Sequence, residues 1–131
     1  MSDIRTFVDG IFDELVAIRR DIHAHPETGM RETRTAALIR SELEKMGVDE
    51  IQQPLPTAVV ALIHGKKGAG KCVALRADID ALPVHEETGL PFASVNEGVM
   101  HACGPISTPP CCWARPGRCA TCAISSPAPS S

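Results

Sequence analysis

The chain has 131 residues, a formal net charge of −3 and 44% hydrophobic against 22% charged residues. That composition suits one modest globular domain at most and offers no basic excess for nucleic acid or an anionic membrane surface. Aromatic residues make up 3% and Tyr is absent, so any core must be aliphatic.

Met1-Ser2-Asp3-Ile4-Arg5 lacks the basic and apolar regions of a secretion signal, and no apolar run approaches membrane-spanning length. A reducing cytoplasm is the expected setting. Ile4, Val8, Ile11, Leu15, Ile18 and Ile22 recur at steps of four and three, which predicts an amphipathic helix with Asp3 as its N-cap. It should end near His25-Pro26, because the residue before a proline disfavours helix. Pro26-Glu27-Thr28-Gly29 reads as a turn. A second helix is predicted from about Glu32 to Met46, with Ala36, Ile39, Leu43 and Met46 as its apolar set and Gly47 as its stop.

Two near-continuous apolar runs follow, Thr57 to His64 and Cys72 to Arg76, and both read as buried strands. Gly65 to Lys71 between them reads as a hairpin-like turn. Asp78 and Asp80 fall where the second strand ends, a position from which carboxylates commonly face a site in α/β proteins. Gly89-Leu90-Pro91-Phe92 reads as a loop. The fold class is therefore α/β, with helices packed on a partial mixed sheet.

At Gly104 the composition breaks. Residues 105–131 are mostly Pro, Ser, Cys, Ala and Arg with no apolar period. A shifted reading frame accounts for this. Read one nucleotide earlier, Cys111-Cys112-Trp113-Ala114 becomes Leu-Leu-Gly whatever codons were used. With permissible codons the tail opens H-D-L-H-T-T-M-L-L-G-A-A-R, a helical pattern, and Pro105 is a histidine codon that has lost one base. The chain divides accordingly into residues 1–104, a folded N-terminal part, and residues 105–131, an out-of-frame tail. Pro105, Pro109, Pro110, Pro116, Pro127 and Pro129 interrupt helix and ladder alike, so the tail is expected to lack fixed structure. Of six cysteines, Cys111, Cys112, Cys119 and Cys122 lie in the tail. The remaining two, Cys72 and Cys103, are expected to be reduced thiols.

Arg76-Ala77-Asp78-Ile79-Asp80-Ala81-Leu82-Pro83 and His101-Ala102-Cys103-Gly104 supply a strand-end carboxylate and a thiol beside an imidazole, suitable pieces of a divalent-metal site. Taken singly, Asp78 equally suits a turn cap and Cys103 a small buried hydrophobe. His23 and His25 form a His-x-His pair, but at a helix end before Pro26 their side chains diverge, which favours surface or capping roles. Gly65-Lys66-Lys67-Gly68-Ala69-Gly70-Lys71-Cys72 is one residue from a phosphate-binding loop. Cys72 replaces the hydroxyl that should hold magnesium, and a strand rather than a helix should follow. A third reading is a thiol-rich, zinc-binding tail built on Cys111, Cys112, Cys119 and Cys122.

Ile18 to Glu27, Leu75 to Val84 and Gly98 to Gly104 together resemble, in order and spacing, the dinuclear-metal amidohydrolases of the aminoacylase and carboxypeptidase superfamily. The branch is that of hippurate hydrolase and the indole-acetyl-amino-acid hydrolases. The resemblance covers Ile4 to Gly104, and the frame-restored segment continues it.

The resemblance implies an incomplete metallopeptidase-like catalytic domain and hydrolysis of a small-molecule N-acyl amino acid. It implies two divalent ions, zinc, manganese or cobalt, that activate water and polarise the amide carbonyl. Cys103 matches a metal ligand of the family, and Asp78 matches an aspartate beside the metal site. The next ligand position is Pro105, which has no ligating side chain. The general-base glutamate, further histidine ligands and the lid or dimerisation domain would fall beyond Ser131. The expectation is a chain with two site residues, no complete metal sphere and no activity of its own. An exposed sheet edge and an uncovered apolar face should follow.

Overall fold

The computed structural model describes residues 4–65, 72–104 and 121–124. The first element is the predicted amphipathic helix, α1 (Ile4–Ala24). It stops one residue before His25-Pro26, where the His25 N–H still reaches the Asp21 and Ile22 carbonyls at 3.2 and 3.3 Å. The Asp3 cap lies outside the described residues. The second helix, α2 (Thr33–Lys45), falls inside its predicted span.

Glu32 at the start of α2 makes no side-chain cap. The free N–H groups are instead taken by Glu27, which lies outside the helix. Its Oε1 accepts from the Arg34 N–H at 3.0 Å, and its Oε2 accepts from the Thr35 N–H and hydroxyl at 2.8 Å each. An anion at this end also suits the helix dipole. At the other end Gly47, at φ 66°, provides the left-handed stop that the sequence implied.

Four strands form one mixed sheet in the order β1-β2-β4-β3: β1 (Glu50–Leu55), β2 (Ala58–Leu62), β3 (Ala74–Ala77) and β4 (Thr121–Ile124). β1 and β2 pair antiparallel, with an irregular register between Gln52 and Leu55. Pro54 sits in that irregularity, and an edge strand tolerates a residue with no N–H. Polar Glu50, Gln52 and Gln53 together with Pro54 hid this strand from an apolar-run reading.

Two expectations are corrected here. β2 and β3 are not hairpin partners, because β4 lies between them, antiparallel to β2 and parallel to β3. Their connection at residues 66–71 lies outside the described residues. The tail is also not uniformly without structure, since Thr121–Ile124 is β4 itself. The physical reason is local. Gly117 to Ser126 is the longest proline-free run of the tail, so a ladder can form at its middle. The rest of the tail, residues 105–120 and 125–131, lies outside the described residues.

The core lies between α2 and the sheet. Ala36, Ile39 and Leu43 meet Val59, Ala61 and Ile79, with Ile18, Val48, Ile51 and Leu75 at the margin. All are aliphatic, as the low aromatic content required. Outside this layer, Phe7 and Phe12 on α1 are 47% and 57% exposed. No α1 residue from Thr6 to Asp21 is buried, and burial begins at Ile22 and His23.

Candidate functional site

Three segments converge at the end of β3. The strand runs on through Asp78 and Asp80, both half-buried, while the intervening Ile79 and Ala81 point into the core. This alternation is the period of an extended chain, apolar side chains inward and carboxylates outward. The segment carrying Cys103 is brought alongside by a narrow antiparallel bridge. In that bridge the Leu82 and Met100 N–H groups each donate to the other's carbonyl at 3.0 Å. The turn after α1 joins from the other side, where Ala81 N–H donates to the Glu27 carbonyl at 2.8 Å within a parallel Thr28–Ala81 bridge.

The loop from Pro83 to Val99, closed at its neck by the Leu82–Met100 bridge, is tied back onto α1 by polar contacts. Glu86 accepts from His23 Nε2 at 3.0 Å, with the two side chains 4% and 6% exposed. It also accepts from the Ser94 N–H at 2.7 Å and from the Thr88 hydroxyl. Burial alone would push the Glu86 carboxyl up. The hydrogen bonds from Thr88, His23 and Ser94 outweigh it and hold the group at about 2. Phe92 stands edge-on to the His23 ring at 5.6 Å, with the Arg20 guanidinium over its face at 5.0 Å. Val95 N–H and Asn96 Nδ2 reach the Ala24 and Pro26 carbonyls, each at 2.9 Å.

His101 lies under this clasp, 6% exposed, with its ring 6.4 Å from that of His23. Burial first, and the neighbouring His23 second, lower its pKa to about 4, against a small upward pull from Glu27. His101 is therefore a neutral imidazole at pH 7, and its Nε2 has no partner. His23 corrects the surface reading, because it is buried and paired with a carboxylate 63 positions away. His25 does cap, its Nδ1 lying 2.9 Å from the Asp21 carbonyl.

The expected site residues lie on adjoining segments. Cys103 is a free, exposed thiol. Asp78 is 2.6 Å from the Arg76 guanidinium, yet the contact is misaligned, and its buried Oδ1 has no hydrogen bond. Among the described residues no group of three or more His, Cys, Asp or Glu side chains could hold a metal ion. The described residues therefore do not by themselves make up a dinuclear metal centre. The phosphate-loop reading loses its structural requirement, because Ala74–Ala77 is a strand where a helix should run; residues 66–71 lie outside the described residues. So do Cys111, Cys112 and Cys119 of the thiol-rich reading. No helix among the described residues is long and apolar enough to cross a membrane.

Sequence reasoning missed Glu86 and Glu32. Glu32 is 0% exposed, and neither carboxyl oxygen has a hydrogen-bond partner. No local pattern marks either residue, since their environments are assembled from distant segments.

Residues 74–107 match the family model described as Peptidase family M20/M25/M40. The chain is 44% identical over 103 residues to an N-acyl-L-amino acid amidohydrolase of Geobacillus stearothermophilus, a match covering 79% of this chain and 28% of that protein. It is 51% identical over 105 residues to thermostable carboxypeptidase 1 of Saccharolobus solfataricus, covering 79% of this chain and 26% of that protein. A crystal structure of a Bacillus subtilis dinuclear metal binding peptidase from the M20 family superposes with a TM-score of 0.74 at 39% identity. That match covers 90% of this chain and 35% of the other. The chain thus spans about a quarter to a third of the length of these proteins.

Proposed function

The chain belongs to peptidase family M20/M25/M40, and on that premise we propose that it is the N-terminal part of an amidohydrolase cleaving the amide bond of N-acyl amino acids. The observation that carries the reading is the convergence at the end of β3. Asp78 and Asp80 leave the strand beside the turn after α1, and the Leu82–Met100 bridge sets the Cys103 segment next to them. The frame-restored continuation, H-D-L-H, supports it by placing further ligating side chains directly after Cys103. In this reading Cys103 is a metal ligand of the complete enzyme, and Asp78 shapes the ground beside it. Hippurate, an N-benzoyl amino acid, is the representative substrate of this reading.

The chain as it stands does not turn over such substrates. One thiol and one carboxylate already facing Arg76 do not define an open coordination sphere, and Pro105 contributes no ligand. The test compares two proteins, the 131-residue chain and a gene restored by one inserted nucleotide in the Pro105 codon and read to its natural end. With zinc, manganese or cobalt supplied, the restored enzyme should hydrolyse hippurate or another N-acyl amino acid, and Cys103→Ala should remove most of that activity. The 131-residue chain should show none. Turnover by the short chain would overturn the incompleteness argument. An inactive restored enzyme with metal bound would overturn the substrate class.

A further inference from the structure

β2 and β3 follow one another along the chain, and consecutive strands usually pair. Here they stand on either side of β4, which comes from the tail beyond the break in composition at Gly104. Neighbouring strands lie about 5 Å apart, so β2 and β3 are separated by about 10 Å. Three observations show that they match each other across that gap.

The first is direction. β4 is antiparallel to β2 and parallel to β3, so β2 and β3 are antiparallel to each other. The second is register. Val59 and Ala77 both align with Ile124, Val60 and Arg76 with Ala123, Ala61 and Leu75 with Cys122, and Leu62 and Ala74 with Thr121. Residues aligned across a sheet share a face, so Val59, Ala61, Leu75 and Ala77 form one inward set. The third is burial along β3. In its inward series Ala81, Ile79 and Ala77 are buried, Leu75 is half-buried at the margin of the core, and Val73 is 54% exposed. The strand lies in the core at its site end and leaves it at the other. Continued by two residues, the same register sets Val73 opposite the half-buried Ile63.

We propose that β4 is an exchangeable strand: when Thr121–Ile124 leaves its slot, β2 and β3 close into a direct antiparallel pair, with no change of register or face, and carry Leu75 and Val73 onto Ala61 and Ile63. The sheet thus has two arrangements, and the tail chooses between them. With β4 inserted, ladder hydrogen bonds form on both of its sides. With β4 out, the edges of β2 and β3 satisfy each other, two apolar side chains gain burial and the inserted segment regains its conformational freedom. This holds whatever substrate the complete enzyme takes.

The experiment empties the slot in the full 131-residue chain. A strand with neighbours on both sides does not tolerate proline, so Ala123→Pro expels β4. Contacts between backbone protons, read by NMR, report the outcome. Wild type should connect Ala123 to both Val60 and Arg76. The variant should remain folded and show new contacts between Val60 and Arg76 and between Leu62 and Ala74. Loss of amide protection in β3 without those contacts would mean that β3 detaches, and global unfolding would make β4 an integral strand. Either result overturns the proposal. Val73→Lys supplies a second reading from chemical denaturation. It should change the unfolding constant by less than about twofold in wild type, where the side chain is exposed. In the Ala123→Pro background it should raise that constant about tenfold or more, because closing the sheet buries the ammonium. Equal effects in the two backgrounds would refute the closed pair.

Discussion

The two ends of α1 have opposite relations to the rest of the molecule. From Ile22 to Pro26 the chain is clasped by Glu86, Phe92, Val95 and Asn96, all from the loop between β3 and the Cys103 segment. From Phe7 to Val16 the same helix shows an equally regular apolar stripe, and its residues are at most half-buried. Sequence periodicity is identical along both halves, so the difference lies in what reaches them. The site end is held by polar groups within this chain, whereas the first half is at most half-buried, with Phe7, Ile11 and Leu15 lining a cavity shared with Glu42 and Lys45 of α2 and with Met46 at its end. In this molecule organised architecture follows hydrogen-bonded closure of loops more closely than hydrophobic pattern.

The sharpest way to break that contrast is at the clasp. Glu86→Ala leaves His23 buried without its carboxylate and frees the Ser94 and Thr88 donors. Removing one partner of such a buried pair costs about 3–5 kcal/mol, enough to unfold a marginal domain outright. Chemical denaturation should show it. A loss below about 1 kcal/mol would mean the loop is held by its neck alone.

Acid should act on the same end, less abruptly. Glu86 is held at about 2 in the folded chain, so its contribution is complete above 4.5 and is lost as pH falls from there towards 2. His101 is lowered to about 4 from 6.5. A folded state that resists protonating a base loses stability as pH falls through that interval, because the unfolded chain binds the proton first. Stability should therefore begin to decline below about pH 6.5 and continue to decline through the carboxylate range. His101→Gln should flatten the upper part of the curve. An unchanged upper limb would place His101 in contact with water.

Smaller effects mark the turn and the open half. Met30→Gly relieves a left-handed residue at some entropic cost and should stabilise by about 0.5–1 kcal/mol. Phe12→Ser should change stability by less than about 0.5 kcal/mol while reducing binding of a hydrophobic dye. A cost above about 2 kcal/mol would show that the first half of α1 is packed after all.

How much of this was legible depended on range. The steps of four and three gave α1 and α2 almost to their ends, and Pro26 and Gly47 marked the stops. The apolar runs located β2 and β3, but pairing information is non-local, and a strand between them could not be read from a short glycine-lysine connection. β1 escaped because Gln52, Gln53 and Pro54 disguise an edge strand that needs little apolar surface. At the site, the Asp78 and Cys103 segments stood out as motifs. The burial of His23 did not, because Glu86 lies 63 positions further on. Glu32 looked like an ordinary first-turn glutamate until its enclosure was known.

The position of β4 has a consequence for biosynthesis. β2 is complete at Leu62 and β3 at Ala77, but the strand that joins them ends at Ile124. While the polypeptide emerges from the ribosome, at about 5–20 residues per second, β2 and β3 wait several seconds for their common neighbour, and β3 presents an unsatisfied edge whether or not it has closed onto β2. Such edges are templates for pairing with other chains. The yield of folded protein should then depend on translation speed and chaperone supply across residues 78–124, a stretch in which no change need touch the finished core.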